Sequence, residues 1–321
     1  VGSDRRRPSL EGAMRAAGGG KGEGAKMNVK RLLAGAAFGL ASLIAAGQAW
    51  AFDFSDTSVS LTYGASYMEP GVVKSSDPNN GTPISKFILT LTHFDTYKYG
   101  TNFINVDALQ STDRDFANNS TRGATEVYVI YRGNLSGNAV LNTKAFSFGP
   151  VADVRLEFGG DFNTKNTTFA PEKKLLIIGP NFAMDMPKGF LNLGFHFSKE
   201  WNNCGVCGLS NSAVSFNPAF EFEAVFLYPL SDYLGGIPLR FDGFFNLVTP
   251  KGKDGFGDQT KTEILTQPRL VLDVGALAFK KPNTLDGYVG YQFWLNKFGN
   301  NASQVPGSEA SLVFVGTTFH F

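Results

Sequence analysis

Apolar and polar residues alternate with a period of two along most of this chain, in runs of about 10–14 residues, and no other feature limits the fold as tightly. In 58–67, Val59, Leu61, Tyr63, Ala65 and Tyr67 fall on one face, and Ser58, Ser60, Thr62, Gly64 and Ser66 on the other. In 152–158, Ala152, Val154, Leu156 and Phe158 oppose Asp153, Arg155 and Glu157. In 214–228, Phe216, Phe220, Phe222, Phe226 and Tyr228 oppose Ser215, Asn217, Glu221 and Glu223. Successive side chains of a strand point to opposite faces, so each run reads as a strand with one apolar and one polar side. The strands of a soluble sandwich are usually shorter and carry charge on their outer faces. Runs of this length with an aromatic apolar face suit a tilted crossing of a bilayer. Closing the sheet on itself leaves no unpaired backbone edge in hydrocarbon. The expectation is an all-β, closed, antiparallel transmembrane β-barrel of about twelve strands.

The runs are 57–67, 84–95, 100–110, 123–133, 150–162, 173–184, 189–201, 214–228, 238–249, 263–279, 285–297 and 309–321. An even count brings both termini to one side, which is expected to be periplasmic. Short turns at 95–99, 185–189 and 280–284 alternate with longer polar loops at 68–83, 111–122, 202–213, 250–262 and 298–308. Short periplasmic turns opposite long external loops are the usual asymmetry. Two connections on the short-turn side, 134–149 and 229–237, are longer than this pattern predicts, and 134–149 reads only as a plug-like or packing segment.

Residues 27–51 have the form of an export signal. Lys30 and Arg31 precede an apolar stretch over 32–46, and Ala49-Trp50-Ala51 forms a small-residue cleavage site. Phe52 is therefore expected to begin the mature protein, with 52–321 as the barrel. The Gly/Arg-rich stretch 1–26 precedes Met27 and reads as an extension outside the protein proper, from a misplaced start or an artefact. Residues 1–51 carry eight Lys/Arg against three Asp/Glu, so the remainder has a net charge of −4 where the whole chain has +1. No basic stripe is left for a nucleic-acid partner. No stretch reaches the roughly 18 uninterrupted apolar residues of a membrane helix. The expected location is the outer membrane of a Gram-negative cell, with its lipid as a partner. Export also places Cys204 and Cys207, in Cys-Gly-Val-Cys, in an oxidising compartment, where a disulfide within an external loop is expected. A redox motif would need a following helix to lower a thiol pKa, and a zinc site would need two more ligands nearby.

The polar faces carry the candidate chemistry. Inward aromatics at Phe103, Tyr128, Phe244, Tyr288 and Trp294 alternate with Asp107, Glu157, Glu223, Arg240, Asp242, Asn246, Arg269 and Asp273. Flat apolar surface beside carboxylates, amides and guanidinium groups suits a solute made of a base and a sugar, and stacking contributes about 1–3 kcal/mol per base. Selectivity is expected near mid-barrel, at Phe244, Tyr288 and Trp294. A non-specific small porin, whose aromatics only narrow the bore, is the nearest alternative. An enzyme is not expected: His196 and Ser198 share an inward face, which leaves a hydrolase as the minor reading, and there is no G-x-S-x-G. The sequence implies neither cofactor nor metal.

The final run, SLVFVGTTFHF, places Val313, Val315, Phe319 and Phe321 on one face and ends on an aromatic. This ending resembles the signal read by the outer-membrane assembly machinery, with Phe321 as its key residue. The segment 224–244, AVFLYPLSDYLGGIPLRFDGF, the stretch 87–107 with Phe94-Asp95 and Tyr99-Gly100 at its turn, and 179–191 with Asp185 to Pro187 carry a family likeness. Together they resemble the Tsx-type nucleoside-specific channels and the related outer envelope proteins, in pattern over most of 55–321. A monomer is expected, and the resemblance implies a twelve-stranded barrel with a narrow lumen. It further implies passage of nucleosides by stacking of bases on aromatics and bonding of sugars to ionisable side chains.

Overall fold

The computed structural model describes residues 53–74 and 76–321. The expectations for 1–26, for the export signal 27–51 and for cleavage before Phe52 lie outside the described residues.

The alternating runs form β1 (Phe54–Tyr67), β2 (Val73–Lys74), β3 (Asp77–Gly81), β4 (Ile84–Tyr97), β5 (Gly100–Ser111), β6 (Thr125–Ser136), β7 (Val151–Lys165) and β8 (Lys174–Met184). The second half contributes β9 (Phe190–Asn203), β10 (Ala213–Ser215), β11 (Ala219–Pro229), β12 (Leu239–Val248), β13 (Glu263–Thr266), β14 (Arg269–Asp273), β15 (Leu285–Leu295) and β16 (Ala310–His320). β2 and β3 form a small hairpin in the first loop, and β10 pairs with the far end of β9. The other strands occupy twelve positions of a closed antiparallel ring, in which β13 and β14 are two halves of one position. The ring closes where β16 pairs with β1, from Ser58 opposite His320 to Gly64 opposite Phe314.

The pleat sorts the two faces. Leu61, Phe87, Leu89, Leu176, Ile178, Phe197, Val313 and Val315 are exposed on the outside, each from 46% to 69%. A continuous apolar wall of this kind is unstable in water and matches lipid hydrocarbon. No helix among the described residues is long and apolar enough to cross a membrane. One end of the barrel holds β1's start, β16's end and the turn at Lys98–Tyr99; it is called the terminal end below, and the opposite end the loop end.

Three local departures from strict alternation have physical causes. The register of β1 shifts between Gly64 and Tyr67, and this bulge turns Tyr67 inward, where it is buried; the alternation had placed Tyr67 on the outer face. The expected strand 263–279 is interrupted at Gln267-Pro268, because Pro268 has no N–H to give to the ladder. Beside the break, the Gln267 carbonyl comes so near Gly243 (φ +149°) that a Cβ there would lie 2.4 Å from the oxygen. The same run ends at Asp273, and α2 (Val274–Phe279) follows it. In 134–149 a short helix, α1 (Gly137–Val140), starts on Ser136, whose Oγ accepts from the Ala139 N–H at 3.0 Å. Asn138 donates to Ser147 Oγ at 2.8 Å and accepts from the Phe146 N–H at 3.0 Å, so this segment is a self-bonded turn at the terminal end.

Candidate functional site

Strand pairing orients the lumen side chains. Glu223 stands opposite Asn246, and Val225 opposite Phe244. Asp242 is paired with Arg269, and Val271 with Tyr288. All thirteen candidate lumen residues lie on the inward phase of their strands, but they are not gathered into one site.

From β6 to β12 the wall is ionic. Arg132 reaches Asp161 at 2.8 Å and Glu223 at 3.6 Å. Tyr128 donates to Asp161 at 2.9 Å, and Lys173 donates to Tyr128 at 3.0 Å. Glu157 accepts from Asn181 at 2.6 Å and contacts His196 Nε2 at 3.0 Å; Glu221 accepts from Asn246 at 2.7 Å. Lys251 pairs with Glu200. Arg132 Nε, Asn181 Oδ1, His196 Nδ1 and Glu221 Oε2 have no protein partner among the described residues. Buried polar atoms of this kind are normally satisfied by water or a polar ligand. A cavity of about 20 Å³ sits among Lys173, Ser198, Glu200, Glu221, Lys251 and Glu263, large enough for one water.

From β14 round to β4 the wall carries an apolar cluster among hydroxyl-bearing residues such as Ser60, Thr62, Thr90 and Thr92. Tyr67, Val271, Tyr288, Leu312 and Phe314 form one buried cluster, with Ile88 and Trp294 packed against it. At the terminal end a second ionic set joins the two walls. Arg240 reaches Asp286 at 2.5 Å, Arg269 reaches Asp242 at 2.8 Å, and His320 lies 3.1 Å from both Asp56 and Asp286. Side chains pack over one another at these levels: His196, Glu221 and Asp286 are at most 1% exposed.

Several expected roles change. Asp273 is not available to a solute, because it caps α2: Oδ1 accepts from the Ala276 N–H at 2.7 Å and Oδ2 from the Asn283 N–H at 2.8 Å. Tyr288 is not an open stacking face. It is buried, bonded to Thr62 at 2.5 Å, set edge-on to Phe314, and covered by the Arg269 guanidinium at 5.2 Å from its ring centre. Trp294 sits at the loop end of β15 rather than at mid-barrel, and it donates to Glu263 at 2.8 Å. Tyr128 is held in the Asp161 network, and Asp107 accepts from Thr90 at 2.6 Å. Phe103 and Phe244 are half-buried and have no ring partner among the described residues, unlike Tyr288 and Trp294. The His196–Ser198 pair is not coupled: His196 is engaged by Glu157, and Ser198 donates to the Ala219 carbonyl at 3.3 Å. Cys204 and Cys207 are joined, with Cα atoms 5.5 Å apart, in a loop-end connection. Phe321 lies against Phe319 with ring centres 5.1 Å apart.

The lumen also contains Lys86, Asp161, Lys165, Lys173, Asp286, His320 and Lys297, which were not among the candidates. Lys86, Asp161 and Lys165 share the inward phase of β4 and β7, and extending the seventh strand past residue 162 would have found Lys165. Lys173 and Lys297 are the end residues of the runs 173–184 and 285–297 but lie just outside β8 and β15, where strand phase no longer sets a side chain's direction.

No family model matches the chain, and no curated protein matches it. Among solved structures, it is similar to the translocator domain of the autotransporter NalP from Neisseria meningitidis, at 12% identity over 91% of this chain and 96% of that one, with a TM-score of 0.41. It is similar to the NanC porin at 11% identity over 81% and 98%, with a TM-score of 0.43, and to the KdgM porin at 9% over 82% and 99%, with a TM-score of 0.39.

Proposed function

We propose that this protein is an outer-membrane channel for small polar solutes, with nucleosides as the solute class. The observation that carries the reading is the ionic wall. Replacing buried ion pairs by apolar residues of similar volume is often neutral or stabilising, so a barrel serving only as an anchor gains little from Arg132, Asp161, Glu157, His196, Glu221 and Glu223. A water-compatible path through a membrane does need such groups. Lys, Arg and Glu side chains are long, so pairs that meet in the bore at rest can part around a solute. Phe244, two residues from Asn246 on one face, and Phe103, opposite Arg132, supply aromatic rings without a ring partner among the described residues. The sequence resemblance to nucleoside-specific channels supports the finer reading. Residues 27–51 support export, the terminal end is then periplasmic, and Phe321 serves assembly.

Liposome swelling tests both levels. Nucleosides are expected to enter faster than uncharged sugars of equal size. Equal rates would leave a channel without nucleoside selectivity, and no entry of either solute would overturn the channel itself.

A further inference from the structure

Glu69 lies in the first loop, beyond the end of β1, yet its side chain is buried in the loop-end mouth. Three lysines meet on its carboxylate. Lys86 bonds Oε1, Lys297 reaches the same oxygen at 3.0 Å, and Lys165 reaches Oε2 at 3.1 Å. All three lysines are at most 8% exposed. Lys165 ends β7 and Lys297 follows β15, and these two strands stand half a turn apart in the twelve-position ring. The carboxylate therefore bridges opposite walls and closes the mouth.

The charges explain why this carboxylate is held. Asp115 pairs with Lys165 at 2.8 Å, and Glu126, opposite Lys165 in the register, accepts from Asn163 at 2.8 Å. With Glu69 in place, three ammonium groups face three carboxylates. With it withdrawn, three face two, and a buried uncompensated cation is strongly unfavourable unless another anion enters. Each of the three ammonium groups lies within hydrogen-bonding reach of the one carboxylate, which is how a lysine site holds an anionic oxygen group.

We propose that Lys86, Lys165 and Lys297 form an anion-binding site at the loop-end mouth, that it accepts a carboxylate or phosphate group of a solute, and that Glu69 occupies it at rest as a displaceable latch. The proposal goes beyond the channel reading and rests on it only for the latch's effect on passage. The Glu69 segment is also held from behind. Gly307 (φ +82°) packs so closely on it that a Cβ there would lie 2.2 Å from the Glu69 carbonyl oxygen. Any side chain at 307 pushes the segment out while leaving the carboxylate intact. Burial pushes the Glu69 carboxyl up, but Lys297, Lys86 and Lys165 together hold it well below the usual carboxylate range. Facing Lys86, Lys165, Lys297, Asp115 and Glu126, the latch is thus charged and closed at neutral pH, and acid releases it only below that range.

The test is binding of inorganic phosphate in detergent micelles, read by calorimetry, together with chloride conductance in planar bilayers. Glu69→Gln is expected to bind phosphate about tenfold more tightly than the native protein, and Lys297→Gln added to it should abolish the gain. In bilayers, Glu69→Gln should conduct more, shift the reversal potential toward chloride, and be blocked by phosphate. Gly307→Ala should show the same changes in weaker form, and it decides the matter if Glu69→Gln does not assemble. Equal phosphate binding by native protein and an assembled variant would overturn the site. Variants that bind phosphate but never conduct would keep the site and overturn the channel.

Discussion

The apolar and ionic walls face each other across one bore, and they are held together in opposite ways. On the apolar side, Tyr67, Val271, Tyr288, Leu312 and Phe314 pack where the first and last strands meet. Dispersion and burial are non-directional, so this side tolerates small shifts and serves to close the ring. On the ionic side, Arg132, Asp161, Glu157, His196 and Glu223 depend on directed bonds, and several of their atoms lack a protein partner. On the channel reading proposed above, the difference separates stability from permeation: the apolar side supplies the first, and the ionic side would accept a weaker energetic return for groups that can exchange partners with a solute.

The largest effect is expected on the ionic side, at Arg132. Arg132→Met leaves Glu223 buried without a cation and Asp161 with Lys173 alone at 3.4 Å, a loss of about 3 kcal/mol. Reversible urea unfolding in lipid vesicles measures it. Adding Glu223→Gln should restore most of the loss, since Asp161 keeps Lys173 and no partner carboxylate of Arg132 is then left unpaired. If Arg132→Met costs less than about 0.5 kcal/mol, the wall is solvated and the contrast between the walls disappears. An effect of similar size falls on the apolar side. Phe314 is buried and set edge-on to Tyr288 with ring centres 6.4 Å apart. Phe314→Ala should cost about 3 kcal/mol by the same measurement, without changing solute preference. A change in solute preference with unchanged stability would place Phe314 on the permeation path and reverse the assignment of that wall.

The strand framework was legible because period-two alternation survives in a membrane: lipid takes one face and the lumen the other. The details that decide the lumen were hidden wherever that period broke. A bulge near Gly64 turned Tyr67 from lipid to lumen, although its neighbours kept their phase. Asp273 has the inward phase of a ligand, yet a helix starts immediately after it and takes both oxygens. Inward phase alone could not separate Tyr288, held by Thr62, Phe314 and Arg269, from Phe244, since only the side chains of neighbouring strands tell them apart. Glu69 belongs to no strand, so no alternation pointed to it; its position depends on three lysines far away in sequence.

The smallest predicted effect is also the sharpest test of the comparison. Phe244 is an inward aromatic on β12, between Asp242 and Asn246 on the same face, and no ring packs against it among the described residues. Its ring can stack on a base while the amide of Asn246 meets a sugar hydroxyl, and weak contact of this kind allows exit as well as entry. Phe244→Ala should lower nucleoside flux by a factor of about five, equivalent to roughly 1 kcal/mol of lost stacking. Flux of an uncharged sugar of equal size should hold or rise, because the bore widens. Tyr288→Ala provides the contrast. That ring is buried against Phe314 and bonded to Thr62, so its loss should weaken the barrel and alter both fluxes together. If Phe244→Ala also changes both fluxes in one proportion, the aromatic only sieves by size, and nucleoside selectivity is lost from the functional reading.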